Sequence, residues 1–212
     1  GVGLDVAKHS RSDIDKAQDG GASRDRREEQ RREVLSRLAD VLSSADDPVE
    51  IAYLAGEVIG RALGAARAGY ASIDAVAETV TVDRDCRAPG VDTLAGEWSL
   101  RKYGGFIDDL KADETVLITD VRLDPRTAAH ADAIAPMRVR ALVNEPVVER
   151  GRLVAMFFIH DEEPRERSSA EISLIREAAN LTRVSVERAR ATMALRASEE
   201  RLRFLDALAR ES

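Results

Sequence analysis

The sequence contains a single cysteine, Cys86, and three scattered histidines among its 212 residues. One thiol excludes an internal disulfide, a Cys-x-x-Cys redox pair and a cysteine-rich zinc site, and scattered histidines supply no clustered metal ligands. The scarcity of cysteine also fits a reducing compartment. We therefore expect a cytoplasmic protein without a metal centre.

Aromatic residues and long apolar runs are equally scarce. Aromatics make up 4% of the chain, so a hydrophobic content of 44% must come mainly from Ala, Val, Leu and Ile. No run approaches the roughly 18 apolar residues that a membrane span needs, and the N-terminus has no apolar signal segment. The net charge is −7, and acidic chains seldom neutralise phosphates. We expect neither a membrane nor a nucleic acid as partner.

Recognisable catalytic motifs are missing as well. The chain has no GxSxG elbow, Walker loop, dinucleotide-binding fingerprint, HExxH pair or kinase ATP-binding motif. We therefore expect this segment not to be an enzyme. Because it begins at Gly1 rather than Met, we interpret it as part of a longer chain, in which any kinase activity would lie elsewhere.

The N-terminal part divides into two predicted zones. Residues 1–23 are polar and contain Gly20–Gly21, which favours a flexible arm or linker. Residues 24–47 predict a charge-rich helix that carries a narrow apolar stripe and therefore needs a partner helix. We predict that the stripe forms part of a dimer interface through Leu35, Leu38 and Leu42.

Residues 48–167 alternate between predicted helices and strands. A helix is expected from Pro48 to Leu63, followed by two short strands with a turn near Ala77–Glu78. Another strand is expected at "TVLITDV", and a hairpin turns at Arg150–Gly151. Residues 86–105 are predicted to lack regular secondary structure. Five strands with interposed short helices predict an α+β fold with a central, mainly antiparallel sheet.

The unbroken apolar run Leu153–Ile159 indicates a strand that is buried on both faces, because a strand with one wet face alternates. Helices 48–63 and 168–190 should cover one face of the sheet. The irregular segments 86–112 and 122–137 remain to cover the other. That second face is then either the floor of a lidded pocket or a second small core, and the sequence leaves both open.

The C-terminal zone predicts one long helix. Residues 168–197 carry apolar and small residues at the 3,4 spacing of a coiled-coil seam. We expect these residues to form the dimer interface: Ile172, Ile175, Ala179, Val186, Ala189 and Met193. The spacing then shifts to Leu195, Leu202, Leu205 and Leu208, so residues 198–212 are expected to begin the linker helix of another module.

Three stretches carry a resemblance to a known family. They are "LITDVRLDPRT", the long run from "VRALVNEPVVE" to "VERARA", and "LRASEERLRFLDAL". Together they resemble the GAF domain of bacterial sensor histidine kinases that combine PAS and GAF modules. The resemblance implies a pocket on one sheet face and long terminal helices on the other. It also implies a parallel homodimer that relays a cue to a downstream PAS or kinase domain in the same chain.

Several residues in the segments expected to cover the sheet are candidates for ligand binding. Trp98, Tyr103 and Phe106 would stack on a flat ligand or fill a small core, and Arg126 and Arg138 would meet an anion or pair with nearby Asp residues. His130 would lie on the helix that closes the pocket. The ligand itself stays unknown.

Two other residues, Cys86 and His160, are not expected to carry chemistry. Phytochrome GAF domains attach their bilin to a Cys followed by His, and Cys86 in "DRDCRAPG" lacks that neighbour. A covalent bilin is therefore not expected. His160 ends the buried strand and is not expected to accept a phosphoryl group. We interpret the chain as a sensory module, with a ligand-free structural dimerisation adaptor as the alternative.

Overall fold

The computed structural model describes the backbone of residues 3–210 and the side chains of residues 24–206 and 209. Five α-helices lie in the order α1 (Gly3–Ser44), α2 (Pro48–Leu63), α3 (Ile107–Lys111), α4 (Ala131–Ile134) and α5 (Ser169–Arg210). The strands are β1 (Arg67–Asp74), β2 (Thr79–Val82), β3 (Cys86–Arg87), β4 (Gly96–Ser99), β5 (Val116–Ile118), β6 (Ala141–Glu149) and β7 (Arg152–Asp161). The α+β fold is therefore confirmed. Within the described residues, no helix combines the length and apolar character needed to cross a bilayer.

Helix α1 extends from Gly3, which corrects the prediction of an arm for residues 3–23; residues 1–2 lie outside the described residues. The Gly20–Gly21 pair does not interrupt it, because a glycine lowers helix stability by about 1 kcal/mol without removing a backbone hydrogen bond. Helix α2 follows the predicted bounds. The Asp47 carboxylate caps its first turn by accepting from the backbone N–H groups of Val49 and Glu50, and Gly64 ends it with a φ of 57°.

All neighbouring strands of the seven-stranded sheet run antiparallel, in the order β4-β2-β1-β7-β6-β5, with β3 paired to β1. Strands β3 and β4 lie in the segment predicted to be irregular. Neither has a run of alternating apolar and polar residues: β3 is the pair Cys86–Arg87, and β4 holds one large apolar residue, Trp98. Strands β6 and β7 form the predicted hairpin, and the turn takes a φ of 50° at Arg150 and 75° at Gly151.

Two hydrophobic cores lie on opposite faces of the sheet, which confirms that Leu153–Ile159 is buried on both sides. Phe157 and Ile159 face helices α1, α2 and α5. Met156 and Phe158 face the covering segment that contains α3 and α4. The glycines of α2 let it lie close to the sheet, since a Cβ at Gly56 would lie 2.8 Å from the Ala68 carbonyl oxygen.

The predicted dimer seams are buried within this single chain, which corrects their assignment. Leu38, Leu42, Ile175, Ala179, Val186 and Ala189 belong to the helix-side core, and Leu35 and Ile172 pack against it. Only Met193 is substantially exposed. The physical reason is that α5 lays its stripe on α2 and the sheet. These buried side chains are therefore not available to a second copy of the chain.

Candidate functional site

A small cavity of about 70 Å³ lies against the sheet face that is covered by α3, α4 and neighbouring helical turns. Its floor is formed by alternate residues of β6 and β7. The cover contributes Tyr103, Phe106, Ile134 and Met137, and Trp98 of β4 also lines the cavity. The lining is almost wholly apolar, so the cavity has the composition of a site for a small organic molecule.

The predicted aromatic cluster forms one wall of this cavity. The rings of Trp98 and Tyr103 lie with their centroids 6.4 Å apart, tilted by 57°. Trp98 Nε1 donates to the Leu94 carbonyl oxygen at 2.8 Å. Tyr103 and Phe106 are buried. Tyr103 and Phe106 belong to the hydrophobic core on the cavity side of the sheet, and Trp98 packs against that core.

The other three predicted ligand residues lie outside the cavity. Arg126 pairs with Asp109 and Asp124 at 2.8 Å each, the surface pairing that the sequence offered as the alternative. Arg138 pairs with Glu162 at 3.0 Å. His130 Nδ1 lies 3.2 Å from the Lys102 carbonyl oxygen. Their polar groups therefore hold the cover segment in place.

Two polar residues that the sequence did not predict as ligands line the cavity: Asn144 and His160. Strand pairing places Leu142 opposite His160 and Asn144 opposite Phe158, on the same sheet face. Asn144 Oδ1 and His160 Nδ1 are buried, and neither has a hydrogen-bond partner among the described residues. The signal that could have revealed them is the strand alternation shared with Phe158.

His160 is held in its neutral form. Burial, assisted by the nearby Arg67 charge, lowers the pKa of His160 to about 3. Arg67 is the residue of β1 paired with His160, and its Nε donates to the Asp92 carbonyl oxygen at 2.7 Å. Two neutral polar side chains, an imidazole and an amide, thus belong to the otherwise apolar lining.

Cys86 lies away from this cavity. Its residue pairs with Ala68 of β1, whose side chain belongs to the helix-side core. A Cβ built on Gly60 of α2 would lie 4.0 Å from Cys86 Sγ. The thiol thus faces α2, on the opposite side of the sheet from Asn144 and His160.

A network of ion pairs joins the cavity strand to α5. Asp161, which follows His160, lies 2.6 Å from Arg167 Nη2, and Arg167 Nη1 lies 3.0 Å from Glu171 of α5. The same Nη1 donates to the Leu63 carbonyl oxygen at the end of α2 at 3.0 Å. Ser168 and Glu171 cap each other at the start of α5. The end of β7 and the start of α5 are thus held together.

An antiparallel sheet with long helices on one face and a covered cavity on the other defines a class of ligand-binding sensory domains. The GAF domain model matches residues 47–186, so the chain belongs to the GAF domain family. Such domains are generally non-catalytic sensory modules. None of the curated proteins matches the chain.

Solved structures share this fold at low identity. A far-red absorbing protein in its dark state with bound biliverdin IXα is 15% identical, with a TM-score of 0.65 over 74% of this chain and 99% of its own. The chromophore-binding domain of a bacteriophytochrome from R. palustris is 15% identical, with a TM-score of 0.64 over 77% and 62%. Free methionine-R-sulfoxide reductase from Neisseria meningitidis is 18% identical, with a TM-score of 0.61 over 76% and 91%. At these identities the likeness concerns the fold alone.

Proposed function

We propose that this GAF domain is the sensory and dimerising module of a cytoplasmic histidine kinase, and that it passes a cue to a PAS or kinase domain later in the same chain. The cue would be a small molecule in the cavity or a change in the cover above it. Helix α5 would carry the signal in a parallel homodimer. The observation that carries the proposal is the connection between the cavity strand and α5.

This connection is short and largely buried. His160 lines the cavity, its neighbour Asp161 binds Arg167, and Arg167 binds Glu171 in the first turn of α5. A shift of β7 would therefore be transmitted to α5 without passing through a flexible loop. Discrete shifts of packed helices are a common way in which such domains change state.

A second apolar stripe on α5 supports dimerisation. Val184, Leu195 and Leu202 fall within about 20° of one another around the helix and lie opposite Ile175, given 3.6 residues per turn. These three residues are exposed by 54%, 61% and 60%. Leu205 is also exposed, and Leu208 lies outside the residues whose side chains are described. An exposed leucine stripe of this kind favours a coiled-coil partner.

Sedimentation velocity of two matched double variants tests the dimer. Burying one leucine contributes about 1.5–3 kcal/mol, so Leu195→Glu with Leu202→Glu should weaken self-association at least about 100-fold. The control pair Arg196→Gln and Arg203→Gln changes the net charge by the same amount on another face of α5. Equal dimerisation of the two double variants would contradict the proposed interface.

The small cavity favours a second candidate function, a ligand-free dimerisation adaptor. Pockets for drug-sized ligands enclose about 300–1,000 Å³, whereas this one has about 70 Å³. Native mass spectrometry and an absorption spectrum of the purified chain distinguish the two functions. A bound mass or a coloured protein supports the sensor, and a bare chain that binds no small molecule supports the adaptor.

A further inference from the structure

The C-terminal part of α5 continues past the end of α1. Arg31 of α1 forms an ion pair with Glu177 of α5, and Arg188 Nη2 donates to the Leu42 carbonyl oxygen at 3.3 Å. Both contacts join residues 146 positions apart, so the two helices lie side by side and run in the same direction. Helix α1 ends two residues after Leu42, whereas every residue of α5 from 190 to 206 is exposed. The described part of the chain therefore leaves this stretch of α5 uncovered.

The uncovered stretch carries the pattern of a coiled-coil seam. Positions 191, 195, 198, 202 and 205 follow one another at alternating steps of four and three residues. Leu195 and Leu202 then occupy a positions of the heptad, and Leu205 occupies a d position. The smaller Ala191 and Ser198 occupy the other d positions. A seam of this width is buried by one partner helix with a matching leucine pattern, and a second copy of α5 supplies that pattern by symmetry.

Two opposite charges flank the seam. Arg201 precedes Leu202 and so occupies a g position, and Asp206 follows Leu205 and so occupies an e position. Both side chains are exposed, and neither forms an ion pair within the described part of the chain. In two parallel helices in register, a g side chain lies beside the e side chain five residues further along the partner. Arg201 and Asp206 have that spacing, so a symmetric dimer brings them together twice.

Other alignments of the two copies lose these contacts. In an antiparallel pair, flanks of the same kind face each other, so Arg201 meets a g position rather than Asp206. A shift of one heptad places Arg201 of one copy beside Glu199 of the other, but it also places Leu202 against Ala209. Among these three alignments, the parallel one in register keeps leucine beside leucine and both charge contacts.

We propose that a second copy of this chain covers the seam in a parallel, in-register coiled coil, and that Arg201 of each copy pairs with Asp206 of the other. This pairing rests on the proposed dimerising function and specifies how the two copies recognise each other. The C-terminal ends of both α5 helices then emerge side by side and in the same direction, as a downstream domain that is itself a symmetric dimer requires.

Reversing one charge at a time tests this pairing. Arg201→Glu and Asp206→Arg each turn two attractive contacts into repulsive ones. In sedimentation velocity at low salt, each variant of the full chain should therefore self-associate about tenfold more weakly than the wild type. The double variant, which exchanges the two charges within one chain, should regain the self-association of the wild type.

An equimolar mixture of Arg201→Glu and Asp206→Arg restores opposite charges at both contacts of the mixed dimer. Native mass spectrometry separates the three dimers by mass, and the mixed dimer should far exceed the half share expected from random pairing. Arg196→Glu and Glu200→Arg are the matched controls, because they make the same changes of charge on the face of α5 opposite the seam. Their mixture should pair at random.

Random pairing of the two seam variants overturns the proposed pairing, and so does equal weakening of self-association in the control variants. The dimerising function is judged separately, by the comparison of Leu195→Glu with Leu202→Glu against its own control. If that comparison shows a dimer through the leucine seam, the dimerising function stands even when the charge pairing fails. A wild-type chain that stays monomeric overturns both.

Discussion

Replacing Arg167 with Met removes a buried guanidinium that joins three elements. The Arg167 side chain is 2% exposed. It contacts Asp161 at 2.6 Å and Glu171 at 3.0 Å, and it donates to the Leu63 carbonyl oxygen at 3.0 Å. Met has a similar length but no donor, so the buried Asp161 carboxylate loses its shortest contact.

The structure also gives the size of the effect. Removing one member of a buried ion pair costs about 3–5 kcal/mol. Arg165 reduces the cost, because it lies 3.4 Å from Asp161 and donates to the Leu63 carbonyl oxygen at 2.9 Å. We therefore expect Arg167→Met to lower the free energy of unfolding by about 2–3 kcal/mol.

Arg165→Met is the matched control, because the Arg165 side chain is 38% exposed. An ion pair at that exposure contributes less than about 1 kcal/mol. Each arginine partly replaces the other, so the double variant should lose more than the sum of the single losses, by about 1 kcal/mol.

Urea unfolding followed by the fluorescence of Trp98, the only tryptophan, measures these free energies. Amide hydrogen exchange should show faster opening in the first turn of α5 and the last turn of α2 in Arg167→Met. A loss below about 0.5 kcal/mol, the range of ordinary surface substitutions, would refute the role assigned to Arg167. Equal losses of unfolding free energy in Arg167→Met and Arg165→Met would also refute that role.

Two further substitutions probe the cavity side of the sheet. A Cβ at Gly69 would lie 2.7 Å from the buried Phe158 ring, so Gly69→Ala should lower the free energy of unfolding in urea by about 1–3 kcal/mol. Gly105→Ala, where a Cβ meets nothing within 4 Å, should leave it unchanged, and similar losses at both sites would contradict this packing. Burial lowers the pKa of His160 from 6.5 to about 3, so below pH 6.5 the unfolded chain binds a proton that the native chain does not. From about pH 6 to pH 4, the free energy of unfolding of the wild type should therefore fall more steeply than that of His160→Phe, by up to about 1.4 kcal/mol per pH unit. Parallel curves of unfolding free energy against pH would argue against a neutral buried His160.

Local signals predicted several elements well. Pro48 and Gly64 bound α2 because each acts through its own backbone geometry, a fixed φ in the proline and a left-handed φ of 57° in the glycine. The turn at Arg150–Gly151 was predicted for the same reason. Strands β3 and β4 were missed, since their two and four residues are held by pairing with β1 and β2 rather than by a pattern in their own sequence.

The candidate site was predicted only in part. The aromatic residues Trp98, Tyr103 and Phe106 stood out because aromatics are rare in this chain. Asn144 and His160 did not stand out, because a polar residue in a strand is ordinary until its facing direction is known. Arg126 and His130 were placed in the pocket from their segment alone. In the structure, Arg126 pairs with Asp109 and His130 Nδ1 lies near the Lys102 carbonyl oxygen, and both partners belong to other segments.

By itself, the sequence determined that Leu153–Ile159 is buried on both faces, because an unbroken apolar run leaves no side of a strand suited to water. It also determined that α5 carries an apolar seam along Ile175 and Val186. What covers that seam was decided by the tertiary structure alone. A helical stripe can bury the same apolar area against another chain or against its own sheet. Here α5 packs on α2 and on the sheet of the same chain, so the stripe is buried within the chain.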